Sequence, residues 1–433
     1  MELQNAYKTL QDRGFNYQVT DEEGLQELFA RGPVSAYIGF DATADSLHVG
    51  HLLPLMALSW LSRSGHRPIA LMGGGTTMVG DPSGRKDARG ILSLEDIERN
   101  AEGIRPQLAR YVGLPPEGNG VMKDNSLWLR GLNYVEFLRD IGRHFSVNRM
   151  LTAESYRSRL ETGLSFLEFN YMIMQAYDFL VLFREEGASL QLGGQDQWGN
   201  IVAGIELIRR EAGGSAYGIT MPLLIDPRTG EKFGKTASGA VWLAADRTPV
   251  YDFYQFWRNI DDQEAGRLLA LFTYLPLDEC RRLATLPGSL INRAKEILAF
   301  EVTLTCHGFE QAAEAFRASA RAFGPADPGG EVPTSSRITG CAPPDAENAL
   351  PTEGIALAVL EKADLAGLFV LAGLATSKSE ARRLIRQGGA YADERKIAPG
   401  SENDPVAGAA WLAEGKITLR AGKKRYKTVK VLR

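Results

Sequence analysis

The sequence is poor in cysteine and has no long hydrophobic run. Its three cysteines, Cys280, Cys306 and Cys341, are odd in number and widely spaced, which argues against a disulfide framework and against a Cys-x-x-Cys metal site. The longest apolar runs are interrupted by charge or glycine well before membrane-spanning length. The first residues have neither a basic start nor an apolar secretory core. We therefore expect a cytoplasmic protein.

The composition is that of a globular protein with an uneven distribution of charge. The 433 residues are 44% hydrophobic and 24% charged, and this length predicts two or three domains. Residues 354–433 carry 15 Lys and Arg against 8 Asp and Glu, a balance of +7, whereas the whole chain carries −4. A basic tail on an acidic body indicates a polyanionic partner for the tail. A merely solvated basic face remains the alternative.

The first informative stretch covers residues 37–51, which read Tyr-Ile-Gly-Phe-Asp-Ala-Thr-Ala-Asp-Ser-Leu-His-Val-Gly-His. The pattern predicts a strand over 35–40, a loop, and a helix with Ser46 as its N-cap. His48 and His51 then share one face of the first turn, beside backbone N–H groups that attract phosphate. Gly50 leaves room for a flat ligand. The alternatives are two structural histidines, or zinc ligands without a third ligand nearby.

Two further stretches combine a predicted buried segment with polar residues. A strand over 67–72 runs into the glycine-dense turn 73–86, where the backbone can approach a ligand closely. The segment 166–183 predicts one buried helix that is apolar nearly all round. Its polar residues Tyr171, Gln175 and Asp178 form a single stripe at i, i+4 and i+7. This stripe predicts either a structural hydrogen-bond network or a set of groups that contact a ligand.

The segments 190–200 and 226–236 also contain candidate ligand-binding residues. The first predicts a strand running into a helix, and its paired glycines followed by Asp196 suit a ribose, because a carboxylate accepts from both hydroxyls. The second contains Lys232-Phe-Gly-Lys-Thr236, in which two lysines flank a glycine hinge. Such a loop can fold over a leaving pyrophosphate.

The remaining segments predict helices and a linker. Residues 95–163 and 248–323 show helical patterns, and the aromatic residues near 251–257 are expected in a core. Residues 325–353 contain six Pro and three Gly in 29 residues, which predicts a linker. Beyond it, Ser377 caps a basic helix that leads to a turn and a strand.

Several of these motifs together resemble one family of enzymes. The His-Val-Gly-His helix start resembles the "HIGH" motif of class I aminoacyl-tRNA synthetases, and Lys-Phe-Gly-Lys-Thr resembles their "KMSKS" loop. Flanking residues narrow the resemblance to the bacterial tyrosyl-tRNA synthetases: Tyr37, Gly39, Asp41, Thr43 and Asp45. The resemblance runs through nearly the whole chain.

The resemblance implies an α/β fold and a domain order. Residues 1–247 would form a Rossmann-like parallel-sheet catalytic domain with a helical insertion at about 95–163, which forms much of a homodimer interface. An intramolecular core explains the same apolar pattern in the insertion. Residues 248–324 would form a helical domain, 325–353 a linker, and 354–433 a small α+β RNA-binding domain of the ribosomal-protein type.

The resemblance also implies the reaction and its partners: ATP-dependent activation of L-tyrosine, then transfer to tRNA(Tyr). Magnesium is expected to arrive with ATP, with no metal ligands on the protein and no tightly bound cofactor. The residues implied for tyrosine binding are Tyr37, Thr76, Asp81, Asn125, Tyr171, Gln175, Asp178, Gln191 and Gln197. Those implied for ATP binding are Gly39, Asp41, His48, Gly50, His51, Gly193, Asp196 and Lys235.

The catalytic set implied by the resemblance contains donors that face phosphates: Thr43, His48, His51, Arg85, Arg89, Lys232, Lys235 and Thr236. For the two arginines, a solvated loop is the alternative. Contacts to tRNA phosphates are implied for Lys378, Arg382, Arg383 and Arg386, with a second basic cluster at 423–427.

Three rival functions share part of this pattern. Tryptophanyl-tRNA synthetases have the same fold, but Tyr37 with Asp178 suits a phenolic hydroxyl. Small nucleotidyltransferases use a similar histidine motif but lack the lysine loop and the tail. A non-enzymatic RNA-binding protein built on this fold is the rival from another class.

Overall fold

The computed structural model describes residues 5–83, 92–116, 118–160, 163–236, 239–341, 352–393, 395–407, 409, 411–412, 415–422 and 425–432. The chain divides into two compact units. The first contains Met1–Pro249 and Gln263–Ala284, and the second contains Val250–Asp262 and Thr285–Arg433. No helix in the described residues is both long enough and apolar enough to cross a membrane.

A six-stranded sheet organises the first unit, in the order β1-β6-β5-β2-β3-β4. Only β1 pairs in the antiparallel direction. The strands are β1 (Gln18–Val19), β2 (Ser35–Phe40), β3 (Arg67–Met72), β4 (Val121–Asp124), β5 (Ala188–Gly194) and β6 (Tyr217–Met221). Because β2 lies between β3 and β5, the strand order reverses there, and a ligand crevice is expected at the carboxyl ends of these strands.

Helices cover this sheet. They are α1 (Ala6–Arg13), α2 (Glu22–Ala30), α3 (Leu52–Arg63), α4 (Leu94–Val112), α5 (Ser126–Leu129), α6 (Tyr134–Asp140), α7 (Val147–Met150), α8 (Glu154–Leu160), α9 (Phe166–Phe169), α10 (Tyr171–Glu186) and α11 (Trp198–Glu211). A hairpin of β7 (Lys235–Thr236) and β8 (Gly239–Ala240) follows. After α12 (Val250–Arg258) of the second unit come α13 (Ala265–Phe272) and α14 (Leu277–Ala284). The apolar side chains of α3 are buried, as its helical spacing predicts.

The prediction of strands over 35–40 and 67–72 is confirmed, but two other expectations are wrong. The segment 166–183 forms two helices, α9 and α10, separated at Asn170. The Asn170 side chain donates a hydrogen bond to the Phe166 carbonyl at 2.7 Å, which competes with the regular helical pattern. The insertion near 95–163 is not purely helical, because β4 extends the sheet alongside β3.

The second unit contains a helical part and a sheet. Helices α12, α15 (Ile291–His307) and α16 (Phe309–Phe323) pack together, and Phe253, Tyr254 and Trp257 are fully buried there, as predicted. Part of the segment predicted as a linker packs on these helices, because Ser336 Oγ donates to Glu301 Oε1 at 2.5 Å and Ile338 is buried.

The sheet of the second unit has five strands in the order β11-β10-β12-β13-β9. The elements are β9 (Thr352–Ala356), α17 (Leu357–Leu360), α18 (Leu365–Leu371), α19 (Lys378–Arg386), β10 (Ala390–Ala392), β11 (Arg395–Lys396), β12 (Lys416–Ala421) and β13 (Arg425–Leu432). Apolar residues of α18, α19, β12 and β13 share one core cluster. Ser377 accepts a hydrogen bond from Glu380 N–H at 3.2 Å, so the predicted cap of α19 is confirmed.

Candidate active site

A cleft opens at the carboxyl ends of β2, β3 and β5. Its lining includes most of the residues predicted for substrate binding, from five separate parts of the chain. These residues are Tyr37, Gly39, Asp41, Thr43, His51, Thr76, Asp81, Asn125, Tyr171, Gln175, Asp178, Gln191, Gly193 and Gln197.

Asp178 and Tyr37 form a buried polar pair in this lining. Asp178 is 2% exposed, and its carboxylate oxygens accept hydrogen bonds from Asn125 Nδ2 at 2.9 Å and from Trp128 Nε1 at 2.7 Å. Burial raises the pKa of Asp178 to about 8, and burial with the nearby Asp178 charge raises the pKa of Tyr37. The buried Tyr37 hydroxyl has no hydrogen-bond partner among the described residues. Buried polar groups are normally paired, so this hydroxyl is a candidate for ligand contact.

A chain of hydrogen bonds connects Asp178 to Asp41. Asn125 donates to Thr76 Oγ1 at 3.0 Å, and its own oxygen accepts from Gly75 N–H at 2.7 Å. The Thr76 hydroxyl donates to Asp41 Oδ1 at 2.8 Å, and the Tyr171 hydroxyl donates to Asp41 Oδ2 at 3.1 Å. Asp41, predicted beside ATP, is therefore held by two residues predicted beside tyrosine.

A second network holds Asp81. Its carboxylate accepts from Ser83 N–H at 2.9 Å and from Gln197 Nε2 at 2.8 Å. Burial raises the pKa of Asp81 to about 6. The Asn200 side chain donates to Gln197 Oε1 and to Gln175 Oε1, both at 3.1 Å. This network fixes the amide orientations of Gln175 and Gln197.

The cleft is rich in carboxyl groups. Asp41, Asp81 and Asp178 all line it, and no lysine or arginine is among its lining residues in the described part of the chain. Three carboxylates within one partly desolvated cavity favour a cationic ligand group such as an α-ammonium. Within the described parts of the chain, no three His, Cys, Asp or Glu residues are grouped as they would be around a metal ion.

The two histidines lie at the two ends of a short 3₁₀ helix over Val49–His51: His48 precedes it and His51 is its last residue. His48 is its N-cap, because His48 Nδ1 accepts from Gly50 N–H at 3.0 Å, and His51 Nδ1 accepts from His48 N–H at 3.2 Å. The prediction of Ser46 as the cap is wrong, because the Ser46 hydroxyl donates to the Leu47 carbonyl at 2.8 Å. Since each Nδ1 accepts, a neutral ring carries its proton on Nε2, so both imidazoles are donors at Nε2.

Glycines near the cleft have different roles. A Cβ on Gly50 would lie 2.8 Å from His48 Cε1, so this glycine makes room for the His48 ring. That it also leaves room for a flat ligand stays a prediction. A Cβ on Gly193 would lie 2.9 Å from Gln197 Cβ, so Gly193 allows Gln197 to pack closely. Gly39 faces open space. Asp196 is partly exposed and outside the cleft lining.

The lysine loop lies directly beside the histidine motif. Gly234 has a φ of 87°, and a Cβ on it would lie 2.9 Å from Val49 Cβ. The Val241 N–H donates to the Gly234 carbonyl at 2.9 Å, which joins this loop to the segment after β8. Lys232 is half-buried. The side chains of Lys235 and Thr236, and all of Arg85 and Arg89, lie outside the described residues.

Three residues at or near the site were not predicted from the sequence. Trp128 contacts Asp178, Asn200 bridges two glutamines, and Trp242 packs its ring against His48, with centroids 5.9 Å apart. Asn200 had a usable signal, because it follows Gln197 by three residues on one helix face. The two tryptophans had none, since their contacts join distant segments.

The residues predicted for tRNA contact lie on α19. Lys378 Nζ is 2.9 Å and Arg382 Nη2 is 3.8 Å from Asp364, and Arg386 Nε is 2.6 Å from Glu402. Arg383 is exposed. Phosphate contacts by the first three would therefore compete with these carboxylates. In the predicted cluster at 423–427, only Lys427 has a described side chain, and it pairs with Glu353 at 3.0 Å.

The parallel sheet, the crevice at its switch point, and a histidine pair beside a lysine loop define a class I aminoacyl-tRNA synthetase. The model of the tRNA synthetases of class I (W and Y) matches residues 30–324. The chain is 51% identical over 425 residues, 98% of this chain and 97% of the other, to tyrosine–tRNA ligase from Desulfatibacillum aliphaticivorans. It is 50% identical to the enzyme of that name from Desulfosudis oleivorans, with 98% of each chain covered. The chain belongs to the tyrosyl-tRNA synthetases.

Solved structures agree with this assignment. A C-terminally truncated mitochondrial tyrosyl-tRNA synthetase from Aspergillus nidulans matches with a TM-score of 0.65 and 29% identity, over 72% of this chain and 92% of that one. A tyrosyl-tRNA synthetase from Archaeoglobus fulgidus, complexed with L-tyrosine, matches with a TM-score of 0.55 at 18% identity, over 72% of this chain and 99% of that one. The second match shows the fold alone.

Proposed function

We propose that this protein activates L-tyrosine with ATP, releasing pyrophosphate, and then transfers tyrosine from the adenylate to the 3′ end of tRNA(Tyr). The observation that carries the proposal is the buried pair of Tyr37 and Asp178 in a cleft that His51 also lines, with the His48 ring packed against His51 at 4.1 Å between centroids. A phenolic hydroxyl can donate to the carboxylate of Asp178 and accept from the hydroxyl of Tyr37.

The pocket chemistry supports tyrosine over phenylalanine. Phenylalanine would leave the Tyr37 hydroxyl and Asp178 buried without their ligand partner, and tyrosine-specific synthetases are the usual illustration of such rejection without editing. In the proposal, the α-ammonium binds Asp81, Gln175 and Tyr171. Thr76 and Asn125 hold these groups in place, and Gln191 and Gln197 lie beside the reacting carboxylate.

The first step needs no general base. An α-carboxylate has a pKa of about 3.5 and is already ionised at neutral pH. One of its oxygens attacks the α-phosphorus of ATP, the bond from that phosphorus to the bridging oxygen breaks, and pyrophosphate leaves. The step therefore requires donors aimed at the growing phosphate charge.

His48 and His51 would supply such donors from Nε2, with Thr43 beside them. Gly39, Asp41, Gly50, Gly193 and Asp196 complete the proposed nucleotide site. Lys232, Lys235, Thr236, Arg85 and Arg89 are proposed to meet the departing pyrophosphate. Magnesium would enter with ATP and stay on its phosphates, because this ion retains water and favours phosphate oxygens.

The second step transfers the tyrosyl group. A hydroxyl of the terminal ribose of tRNA attacks the carbonyl carbon of the adenylate, the bond from that carbon to the phosphate oxygen breaks, and AMP leaves with the bond electrons. The proton of the hydroxyl passes to the departing phosphate. We propose that residues 1–247 carry both steps, that 248–324 form a helical domain, and that 354–433 bind tRNA. The exposed Arg383 and the basic character of α19 support the last part.

Charge reversal of Arg383 to Glu tests the tRNA part of the proposal. We expect weaker tRNA(Tyr) charging with unchanged tyrosine-dependent ATP–pyrophosphate exchange, because phosphate contacts do not enter the first step. Equal loss of both activities would assign the residue another role.

A homodimer and a cytoplasmic location complete the proposal. Residues 127–167 expose a set of large apolar side chains that a second copy could cover: Leu127, Tyr134, Val135, Leu138, Val147, Leu160, Phe166 and Leu167. The cysteines are free, which suits a reducing compartment. Val135→Glu should give monomers in analytical ultracentrifugation, and a persistent dimer would place the interface elsewhere.

The deciding assay is ATP–pyrophosphate exchange with single amino acids. Exchange should depend on tyrosine and be negligible with phenylalanine or tryptophan. Exchange driven by tryptophan would favour the rival synthetase, and no exchange with any amino acid would favour a binding protein without catalysis.

A further inference from the structure

Trp242 connects the histidine motif with the lysine loop. Residues 47–49 run antiparallel to residues 241–243, and His48 lies opposite Trp242. The flanking hydrogen bonds are Val49 N–H to the Val241 carbonyl at 2.9 Å and Leu243 N–H to the Leu47 carbonyl at 2.8 Å. His48 and Trp242 are thus a non-hydrogen-bonded pair, the kind in which facing side chains come closest.

The indole of Trp242 is held from both sides. Its ring meets the His48 imidazole at 70°, in an edge-to-face arrangement. Arg247 places its guanidinium carbon 4.1 Å from the centroid of the Trp242 ring. Arg247 Nε in turn lies 3.1 Å from Asp45 Oδ1. Four side chains therefore contact one another in sequence, from the loop after β2 to the histidine motif: Asp45, Arg247, Trp242 and His48.

Several contacts set the orientation of the His48 ring. Its Nδ1 accepts a hydrogen bond from Gly50 N–H, and the ring lies in the space that a side chain at position 50 would fill. The His51 ring packs against it, with centroids 4.1 Å apart. The Trp242 indole is the ring contact from the segment that follows the lysine loop, so we expect a substitution there to change the direction of the Nε2 donor.

The same tryptophan also follows the lysine loop along the chain. Trp242 comes two residues after β8, and Val241 is hydrogen-bonded to Gly234 in that loop. A displacement of the loop would therefore reach the backbone that faces His48.

We propose that Trp242, supported by Arg247, is a positioning residue that orients the His48 imidazole toward the phosphates of ATP. This inference rests on the proposed adenylation and assigns the tryptophan to that step alone. Its loss should reduce the rate of adenylate formation and leave tyrosine binding intact, because the side chains that donate hydrogen bonds to Asp178 are those of Asn125 and Trp128.

Pyrophosphate exchange with the full chain tests the proposal. Trp242→Ala should lower kcat about tenfold, the scale of one lost aromatic contact at a reacting group, with the tyrosine KM changed less than about twofold. Trp242→Phe should recover most of the rate, because phenylalanine retains an edge for the imidazole. Arg247→Met should lower kcat about threefold.

A double-variant cycle separates positioning from a general effect. In a His48→Ala background, Trp242→Ala should cause no further loss, because there is no imidazole left to orient. An additional tenfold loss there would overturn the inference, as would a loss of tyrosine affinity equal to the loss of rate.

Trp60 provides a matched control. Arg13 lies 4.1 Å above its ring and Tyr274 packs at its edge, and neither of these two residues belongs to the proposed site. Trp60→Ala should lower the thermal unfolding temperature as Trp242→Ala does and leave kcat unchanged. If the unsubstituted protein shows no tyrosine-dependent exchange, the proposed function fails. If it is active and Trp242→Ala matches it, only this inference fails.

Discussion

The two halves of the cleft are held in place by different kinds of contact. Around Asp178, Asp41 and Asp81, side chains hydrogen-bond to other side chains from distant parts of the chain. Around His48 and His51, each Nδ1 accepts from a backbone N–H of the same helix start, and the Trp242 indole packs against the His48 ring. The first arrangement suits recognition of one ligand shape, since each of the three carboxylates is held in place by hydrogen bonds from other side chains. The second suits donors that must face a charge appearing only during reaction.

Asp178→Asn should have the largest effect and sharpen this difference. Both Asp178 oxygens accept from N–H donors, so an amide would place its own NH₂ against Asn125 or Trp128. We expect kcat/KM for tyrosine to fall about 1,000-fold, the order seen when a buried partner of a substrate hydroxyl is lost. The KM for ATP should change little. Unchanged tyrosine affinity in equilibrium dialysis would make the α10 polar stripe structural.

His48→Ala should have the next largest effect, confined to the other half. Loss of one donor to the transition state should lower the rate of adenylate formation about 100-fold. Tyrosine affinity should stay nearly intact, because the groups proposed to bind the tyrosine ring, Tyr37 and Asp178, lie on β2 and α10 and not in the histidine motif. Rapid-quench measurement of adenylate separates the two quantities. Equal losses of adenylation rate and of tyrosine affinity would contradict separate roles for the two halves of the cleft.

The pH dependence of tyrosine binding should be a smaller effect than that of His48→Ala, and it should arise from the half of the cleft around Asp178, Asp41 and Asp81. Burial raises the pKa of Asp178 from 3.8 to about 8 and that of Asp81 from 3.8 to about 6. A phenol that donates to Asp178 requires the ionised form, so binding releases a proton and affinity rises with pH. We expect about 50-fold between pH 6 and pH 8.

Calorimetry in two buffers with different ionisation enthalpies measures this proton release. The same profile should persist in His48→Ala. A flat profile in the unsubstituted protein would mean that Asp178 is already ionised at pH 6.

The raised pKa values of Asp178 and Asp81 also affect folding. The folded chain binds more protons than the unfolded chain between about pH 4 and pH 8, so these two groups lower stability as pH rises through that range.

Trp128→Phe should have the smallest effect. It removes one of two donors to Asp178 and leaves the ring volume mostly filled. We expect the tyrosine KM to rise about fivefold, the value of one hydrogen bond to a charged group partly replaced by packing. The KM for ATP serves as the control within the same assay. An unchanged tyrosine KM would show that Asn125 alone is enough to orient the carboxylate.

The parts of the site that could be predicted are those with a local pattern. The strand–loop–histidine unit lies within 15 consecutive residues, 37–51, and the polar stripe Tyr171, Gln175 and Asp178 follows from helical spacing. Both halves of the cleft were therefore visible in the sequence. The carboxyl-end crevice follows from parallel strands, whose order the motifs themselves suggest.

The parts of the site that could not be predicted depend on competition between alternative hydrogen bonds or on contacts between residues far apart in the sequence. Ser46 is a better intrinsic N-cap than histidine, but its hydroxyl is used at Leu47 and Ala244, and His48 takes the cap instead. Asn170 divides a helix that apolar spacing alone would continue. Trp242 reaches His48 only because two segments almost 200 positions apart pair as strands.

In the proposed binding mode, the Tyr37 hydroxyl, which has no hydrogen-bond partner among the described residues, selects the ligand at a single atom. The group at the para position of the ring must donate a hydrogen bond to Asp178 and accept one from Tyr37 at the same time. Fluorine can only accept, and a methyl group can do neither. Ring analogues of this size that lack a hydroxyl at that position are therefore excluded by hydrogen-bond valence, even where their shape fits.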